Sequence, residues 1–230
     1  MSTRLHTARS RLGASLALLL AVALAGCGGS SGNGVTSKSP TEILAASKAG
    51  AVSATSVRVS SKNSQGPLLR TSNLELASNG GRAQVSAFGL AFELIRAGNT
   101  LYLRGTRAFY QRLGGSAAHV PQGAWLKAPA NGSVQLAQLA AFTDLSGELN
   151  RLLSTSGPTA KGATTTVNGQ KAIELKETAK LFSRSLYVAT TGKPYPIQLV
   201  NRGREAGLIR FSGWNEPVSL TAPPNAIAFR

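Results

Sequence analysis

Residues 73–86 read Asn73-Leu74-Glu75-Leu76-Ala77-Ser78-Asn79-Gly80-Gly81-Arg82-Ala83-Gln84-Val85-Ser86. Leu74 and Leu76 alternate with Asn73 and Glu75, which puts apolar groups on one face of a strand and polar groups on the other. Asn79-Gly80 is a dipeptide that accepts positive φ at both central positions of a two-residue hairpin, so the chain turns there and returns through 82–86. The same grammar extends outward on both sides. Val57 and Val59 alternate with Arg58 and Ser60 upstream. Downstream, a strand through 92–95 turns at Gly98-Asn99 into 101–103. Strands resume from residue 160: 164–167, the Asn168-Gly169 turn, 171–176, 183–189, 197–201 and 208–214. The pattern is two antiparallel meanders.

Helices precede the first meander and separate the two. Ser39-Pro40-Thr41-Glu42 has a capping serine, a proline suited to the first helical position and the glutamate of a capping box, which predicts a helix over 40–53. Phe109, Tyr110 and Leu113 predict a short helix, and 125–127 a brief extended piece. Leu136, Leu139 and Ala140 recur at helical spacing. Leu145, Leu149, Leu152 and Leu153 follow Asp144 in an i, i+4, i+7, i+8 pattern. The expected fold class is α+β: one curved antiparallel sheet, a half-open barrel, with three or four helices on its concave face and a polar face opposite.

The first residues tell a different story. Arg4, Arg9 and Arg11 lead into an uncharged run over 12–25, shorter than the roughly 20 residues that span a bilayer. The run ends in Leu24-Ala25-Gly26-Cys27, which resembles the bacterial lipobox in all four places. Residues 1–26 are thus expected to be a lipoprotein signal peptide and Cys27 the lipid-attachment residue, its sulfur a soft nucleophile suited to thioether formation. Cys27 is the only cysteine of the chain, which excludes an intramolecular disulfide. Residues 27–38, rich in Gly and Ser, are expected to be a disordered tether, and 39–230 the folded domain. The expected location is the extracytoplasmic face of the cell membrane.

Without the signal, 230 − 26 = 204 residues remain, enough for one domain with a sizeable core. Three of the 25 basic residues lie in the signal, so the mature chain carries 25 − 3 = 22 against nine acidic groups, a formal +13. The basic residues are scattered singly, so nucleic acid is not the expected partner. Anionic lipid headgroups and a merely solvated exterior both fit such a surface.

Several strings carry a family resemblance: Gly-Asn-Thr-Leu-Tyr-Leu-Arg-Gly at 98–105, Gly-Ala-Trp-Leu-Lys-Ala-Pro at 123–129, Val-Asn-Gly-Gln-Lys-Ala-Ile-Glu-Leu-Lys at 167–176, the strand and Gly-x-Pro turn at 186–199, and the closing 211–224. In this order they resemble the LppX/LprG family of actinobacterial lipoproteins, whose half-open barrel is shared with the LolA/LolB lipoprotein carriers. The resemblance implies an apolar cavity between sheet and helices that holds the acyl chains of membrane lipids or lipoglycans. Alternation and helical spacing point Val59, Leu76, Phe92, Leu94, Leu103, Leu149, Leu153, Val188 and Phe211 to the shared inner face as lining candidates. By themselves these residues favour a dry core, and the resemblance is what turns the reading toward a cavity. A monomer without cofactor or metal is expected.

Catalytic parts are scarce. His6 leaves with the signal, so His119 is the sole histidine of the mature chain and Asp144 its sole aspartate. A Ser-His-Asp triad would have to use those two, and Asp144 reads as a helix cap. The Gly28-x-Ser30-x-Gly32 match to a nucleophile elbow has no preceding strand. No Ser-x-x-Lys or phosphate-binding loop occurs. No enzymatic activity is expected. The alternatives to lipid carriage are an envelope interaction protein with a solid core, docking through sheet edges or Trp125 and Trp214, and then a hydrolase.

Overall fold

The computed structural model describes residues 32–65, 68–203 and 206–229. The signal peptide, Cys27 and the first part of the tether lie outside them. Helix α1 (Pro40–Val52) starts with the expected capping box: Ser39 accepts from the Glu42 N–H, and the Glu42 carboxylate accepts from the Ser39 N–H at 2.8 Å. Then come strands β1 (Ser56–Gln65), β2 (Leu68–Ala77), β3 (Gly80–Ala87), β4 (Leu90–Ala97) and β5 (Thr100–Gly105), each antiparallel to the one before. Helix α2 (Arg107–Leu113), strand β6 (Leu126–Pro129) and helices α3 (Val134–Ala140) and α4 (Leu145–Leu152) follow. Asp144 caps α4 by accepting from the Gly147 N–H at 2.9 Å.

The second meander runs β7 (Thr159–Val167), β8 (Gln170–Thr178), β9 (Phe182–Ala189), β10 (Pro196–Gly203) and β11 (Gly207–Ser212), with a two-residue β12 (Ile227–Ala228) at the end. All twelve strands form one unclosed sheet, β12-β6-β5-β4-β3-β2-β1-β11-β10-β9-β8-β7. Only the β12–β6 pair is parallel. The two meanders join where β1 pairs with β11, Val59 opposite Phe211. This is the expected α+β half-open architecture.

Helices cover one face. Ile43 of α1, Phe109 and Tyr110 of α2, Leu136 of α3 and Leu145, Leu149 and Leu152 of α4 join the inner-face strand residues in one core. The other face is largely wet. Cross-strand charges alternate there, with Arg58 opposite Glu75, Glu75 opposite Arg82 and Glu93 opposite Arg104. It is not polar throughout, however. A bulge between Pro196 and Gln198 turns Ile197 onto the outer face, where it packs with Ala172 and Ala189.

The tether differs from expectation at its C-terminal end. Gly32 bridges Thr191, the Asn33 N–H donates to the Thr190 carbonyl at 2.8 Å, and the Asn33 amide donates to the Ala189 carbonyl at 2.9 Å. Val35 is buried in the core. Asn33 reproduces backbone hydrogen bonds and Val35 fills an apolar site, so these residues are fixed despite their loop-like composition.

Candidate functional site

Three successive cross-strand rows of the inner face differ in chemistry. The first is apolar from edge to centre: Leu126, Leu103, Leu94, Ala83, Leu74, Val59 and Phe211 stand side by side on seven strands. Each is buried, beneath the helices. The next row runs Phe92, Val85, Ser72, Ser61, Ile209, Leu199, Leu186 and Leu175. It is apolar except at its centre, where the Ser61 and Ser72 hydroxyls pair at 2.7 Å. The third row is polar: Arg70, Asn63, Gly207, Asn201, Arg184 and Glu177. Chemistry therefore changes from hydrocarbon to charge along one surface within three rows.

A cavity of about 630 Å³ opens where the second and third rows meet. Its apolar wall comes from Val59, Val85, Phe92, Leu199 and Ile209 on the strands, with Phe142 and Leu152 from the helical side. Its polar wall holds Asn63, Arg70, Asn201, Arg184, Glu148 and Arg151. The volume falls in the range of roughly 300–1,000 Å³ that holds small ligands. The amide oxygens of Asn63 and Asn201 are buried and accept no hydrogen bond within the protein.

The polar groups around the cavity also hold α4 in place. Buried Glu148 accepts from Arg151 through both oxygens, at 2.9 and 2.5 Å, and this hydrogen-bonded pairing raises the Arg151 pKa. Arg184 donates to the Leu152 and Ser154 carbonyls at 3.1 and 2.6 Å, tying down the C-terminal end of α4. Its Nε lies 3.2 Å from Glu177, whose other oxygen accepts from the Ser156 and Gly157 N–H groups. Burial lowers the Arg184 pKa and the Glu177 charge partly offsets this.

Of the nine residues expected to line a cavity, only Val59 and Phe92 do so. Leu76, Leu94, Leu103, Leu149, Leu153, Val188 and Phe211 do face inward, but they interlock in the dry core. Alternation specifies a face and carries no information on whether the facing helices leave a gap. No single stretch of sequence assembles the polar row, because its two halves become adjacent only where β1 lies beside β11. Its signal is nonetheless in the sequence: on β1 the inner-face positions 57, 59, 61 and 63 run Val, Val, Ser, Asn, and on β2 positions 76, 74, 72 and 70 run Leu, Leu, Ser, Arg.

The remaining candidates are placed as follows. His119 is exposed at the end of a 3-10 turn (Gly115–His119), with no hydrogen bond to Asp144. Trp125 lies under the Arg104 guanidinium, 4.6 Å from its ring centre. Trp214 stacks on Tyr195 at 4.5 Å and donates to the Pro196 carbonyl. Both tryptophans are engaged within the domain.

No family model matches the chain, and no curated protein matches it. Solved structures do. LprF from Mycobacterium bovis superposes with a TM-score of 0.51 at 13% identity, covering 80% of this chain and 96% of that one. The lipoprotein LppX of Mycobacterium tuberculosis superposes with a TM-score of 0.50 at 15% identity, covering 79% and 99%. At such identities the likeness is one of fold. That fold is the one implied by the resemblance of the sequence strings to the family named for LppX.

Proposed function

We propose that the protein is a lipid-anchored, extracytoplasmic lipoprotein that holds an acyl chain in the inner-face cavity and carries or presents the lipid within the cell envelope. The observation that carries this reading is the cavity itself, placed where an apolar wall gives way to a polar one. An amphiphile has the same division: its hydrocarbon lies against Val85, Phe92, Leu199 and Ile209, and its headgroup meets the row of Arg70, Asn63 and Asn201. Acylation of Cys27 supplies the anchor, as its lipobox and its uniqueness support.

No catalytic step belongs to this reading. Asp144 is committed to the N-terminus of α4 and His119 points to solvent without joining it. Replacing His119 by Ala should therefore leave lipid binding unchanged.

The test is titration of the unacylated mature chain, Cys27→Ser, with a fluorescent fatty acid. Ile209→Trp fills the apolar wall. Displacing two methylenes at about 0.8 kcal/mol each weakens binding roughly tenfold or more. Equal affinity in the two proteins would remove the acyl chain from this cavity.

A further inference from the structure

The two ends of the sheet use different turn chemistry. At the end nearer the apolar rows the connections are polar: Ser78-Asn79 between β2 and β3, Gly98-Asn99 between β4 and β5, and Asn168-Gly169 between β7 and β8. At the end nearer the polar row the connections carry exposed hydrocarbon. Leu69 near the start of β2 is 53% exposed, Phe88 in the β3–β4 turn 56% and Leu181 in the β8–β9 connection 69%. Three of the six large apolar residues exposed among the described residues thus sit at one end of one sheet.

Phe88 is there against its local preference. Phe88-Gly89 has φ values of 53° and 75°, matching the 49° and 79° of Asn168-Gly169, so both are turns with left-handed backbone at each central residue. Asparagine tolerates that conformation, whereas a bulky residue loses roughly 1–2 kcal/mol in it. A phenylalanine that is both strained and exposed at a hairpin tip marks a position kept for something other than stability.

Cations accompany the hydrocarbon. The Arg70 guanidinium lies 4.8 Å over the Phe88 ring. Lys180 is exposed on the β8–β9 connection, and Arg202, exposed near the end of β10, donates to the Ser185 hydroxyl at 3.0 Å. Among the described residues of these tips no carboxylate is exposed, since Glu177 is buried beside Arg184. Apolar tips set among cations match the interface of a bilayer with an anionic surface. Phe88 and Arg70 also line the cavity, so this rim is continuous with its opening. Gly32, where the anchor segment joins the described domain, lies at the other end of β9 beside Thr191.

We propose that these hairpin tips form a membrane-docking rim, inserting Leu69, Phe88 and Leu181 into an anionic bilayer while Arg70, Lys180 and Arg202 meet its phosphates. The rim serves the cavity by bringing its opening to the lipid. Its binding to a membrane is measured without any lipid uptake, so failure of the rim and failure of the carrier reading are distinguishable.

The experiment uses the full mature chain with Cys27→Ser, because the acyl anchor would itself bind vesicles. It is floated with vesicles of phosphatidylcholine alone or mixed with phosphatidylglycerol. The protein should float with the anionic vesicles and be released by salt. Leu69→Ser/Phe88→Asn/Leu181→Ser should weaken flotation on the order of a hundredfold. Asparagine relieves the backbone at 88, so the thermal midpoint of the Phe88→Asn single variant should not fall although its membrane binding does. Lys180→Glu/Arg202→Glu, on two exposed side chains, should abolish the preference for anionic vesicles. Val52→Ser/Val134→Ser, on exposed residues elsewhere, should change nothing. A parent protein that stays with the soluble fraction, a triple variant that floats like the parent, or equal loss from the Val52/Val134 control would overturn the proposal.

Discussion

Replacing Arg184 by Ala should loosen the helix that borders the cavity. In the folded protein this guanidinium lies between α4 and β8, donating to the Leu152 and Ser154 carbonyls and facing Glu177 at 3.2 Å. Truncation leaves the Glu177 side chain, only 4% exposed, without its counter-charge and frees two carbonyls at the end of α4. Breaking a buried pair from one side costs about 3–5 kcal/mol. The low end applies, because the Arg184 N–H is poorly aligned with the carboxylate oxygen it faces and Glu177 keeps the Ser156 and Gly157 N–H groups. A loss of about 3 kcal/mol corresponds to a fall of roughly 6–12 °C in thermal midpoint for a domain of this size. Urea denaturation should show a lower midpoint at unchanged slope. Adding Glu177→Gln should recover part of the loss, since the neutral amide still accepts from residues 156 and 157. An unchanged midpoint for Arg184→Ala, or a double variant weaker than the single one, would refute the assignment of Arg184 as the clamp on α4.

Other outcomes follow from the same contacts. Leu149→Ala, in the dry core and away from the cavity wall, should cost about 2–5 kcal/mol in denaturant titration while leaving fatty-acid affinity unchanged. Cys27→Ala should block lipidation, read as loss of the acyl mass increment at the mature N-terminus and as an uncleaved or mis-sorted precursor; an unmodified Cys27 in the parent would end the anchor reading. Hydrogen bonds from the Ser39 side chain and backbone, helped by Lys38, hold the Glu42 carboxyl below its ordinary value. A depressed carboxyl stabilises the fold above the unfolded pKa and loses that effect as pH falls through the folded one. The thermal midpoints of the parent and Glu42→Gln should therefore converge in acid and separate toward neutral pH.

Local features were legible in the sequence because their causes are local. The Asn168-Gly169 turn, the Ser39 capping box and the Asp144 cap each depend on residues within a few positions of one another, and the first hairpin differs from its reading only by one residue, its central pair being Ser78-Asn79 with Gly80 already paired to Ala77. The junction of β1 with β11 joins residues about 150 positions apart in the chain and has no local signature. The outward turn of Ile197 needs a one-residue bulge that alternation cannot reveal. Glu177 has the parity of Ile173 and Leu175 and so faces inward, where its counter-charge Arg184 is brought alongside only by the pairing of β8 with β9. Alternation alone places the core residues Leu76, Leu94 and Leu103 on the inner face they occupy. Whether that face encloses a void at a given residue depends on how closely the helices approach it, which is a property of packed volumes.

The most direct measurement of the central claim is organic extraction and mass spectrometry of the unacylated mature chain purified from its own host. A defined acyl lipid should accompany the protein, and a folded Ile209→Trp variant should carry less of it. A parent protein that emerges free of lipid and stable, and that takes up none when lipid is supplied, would contradict the account.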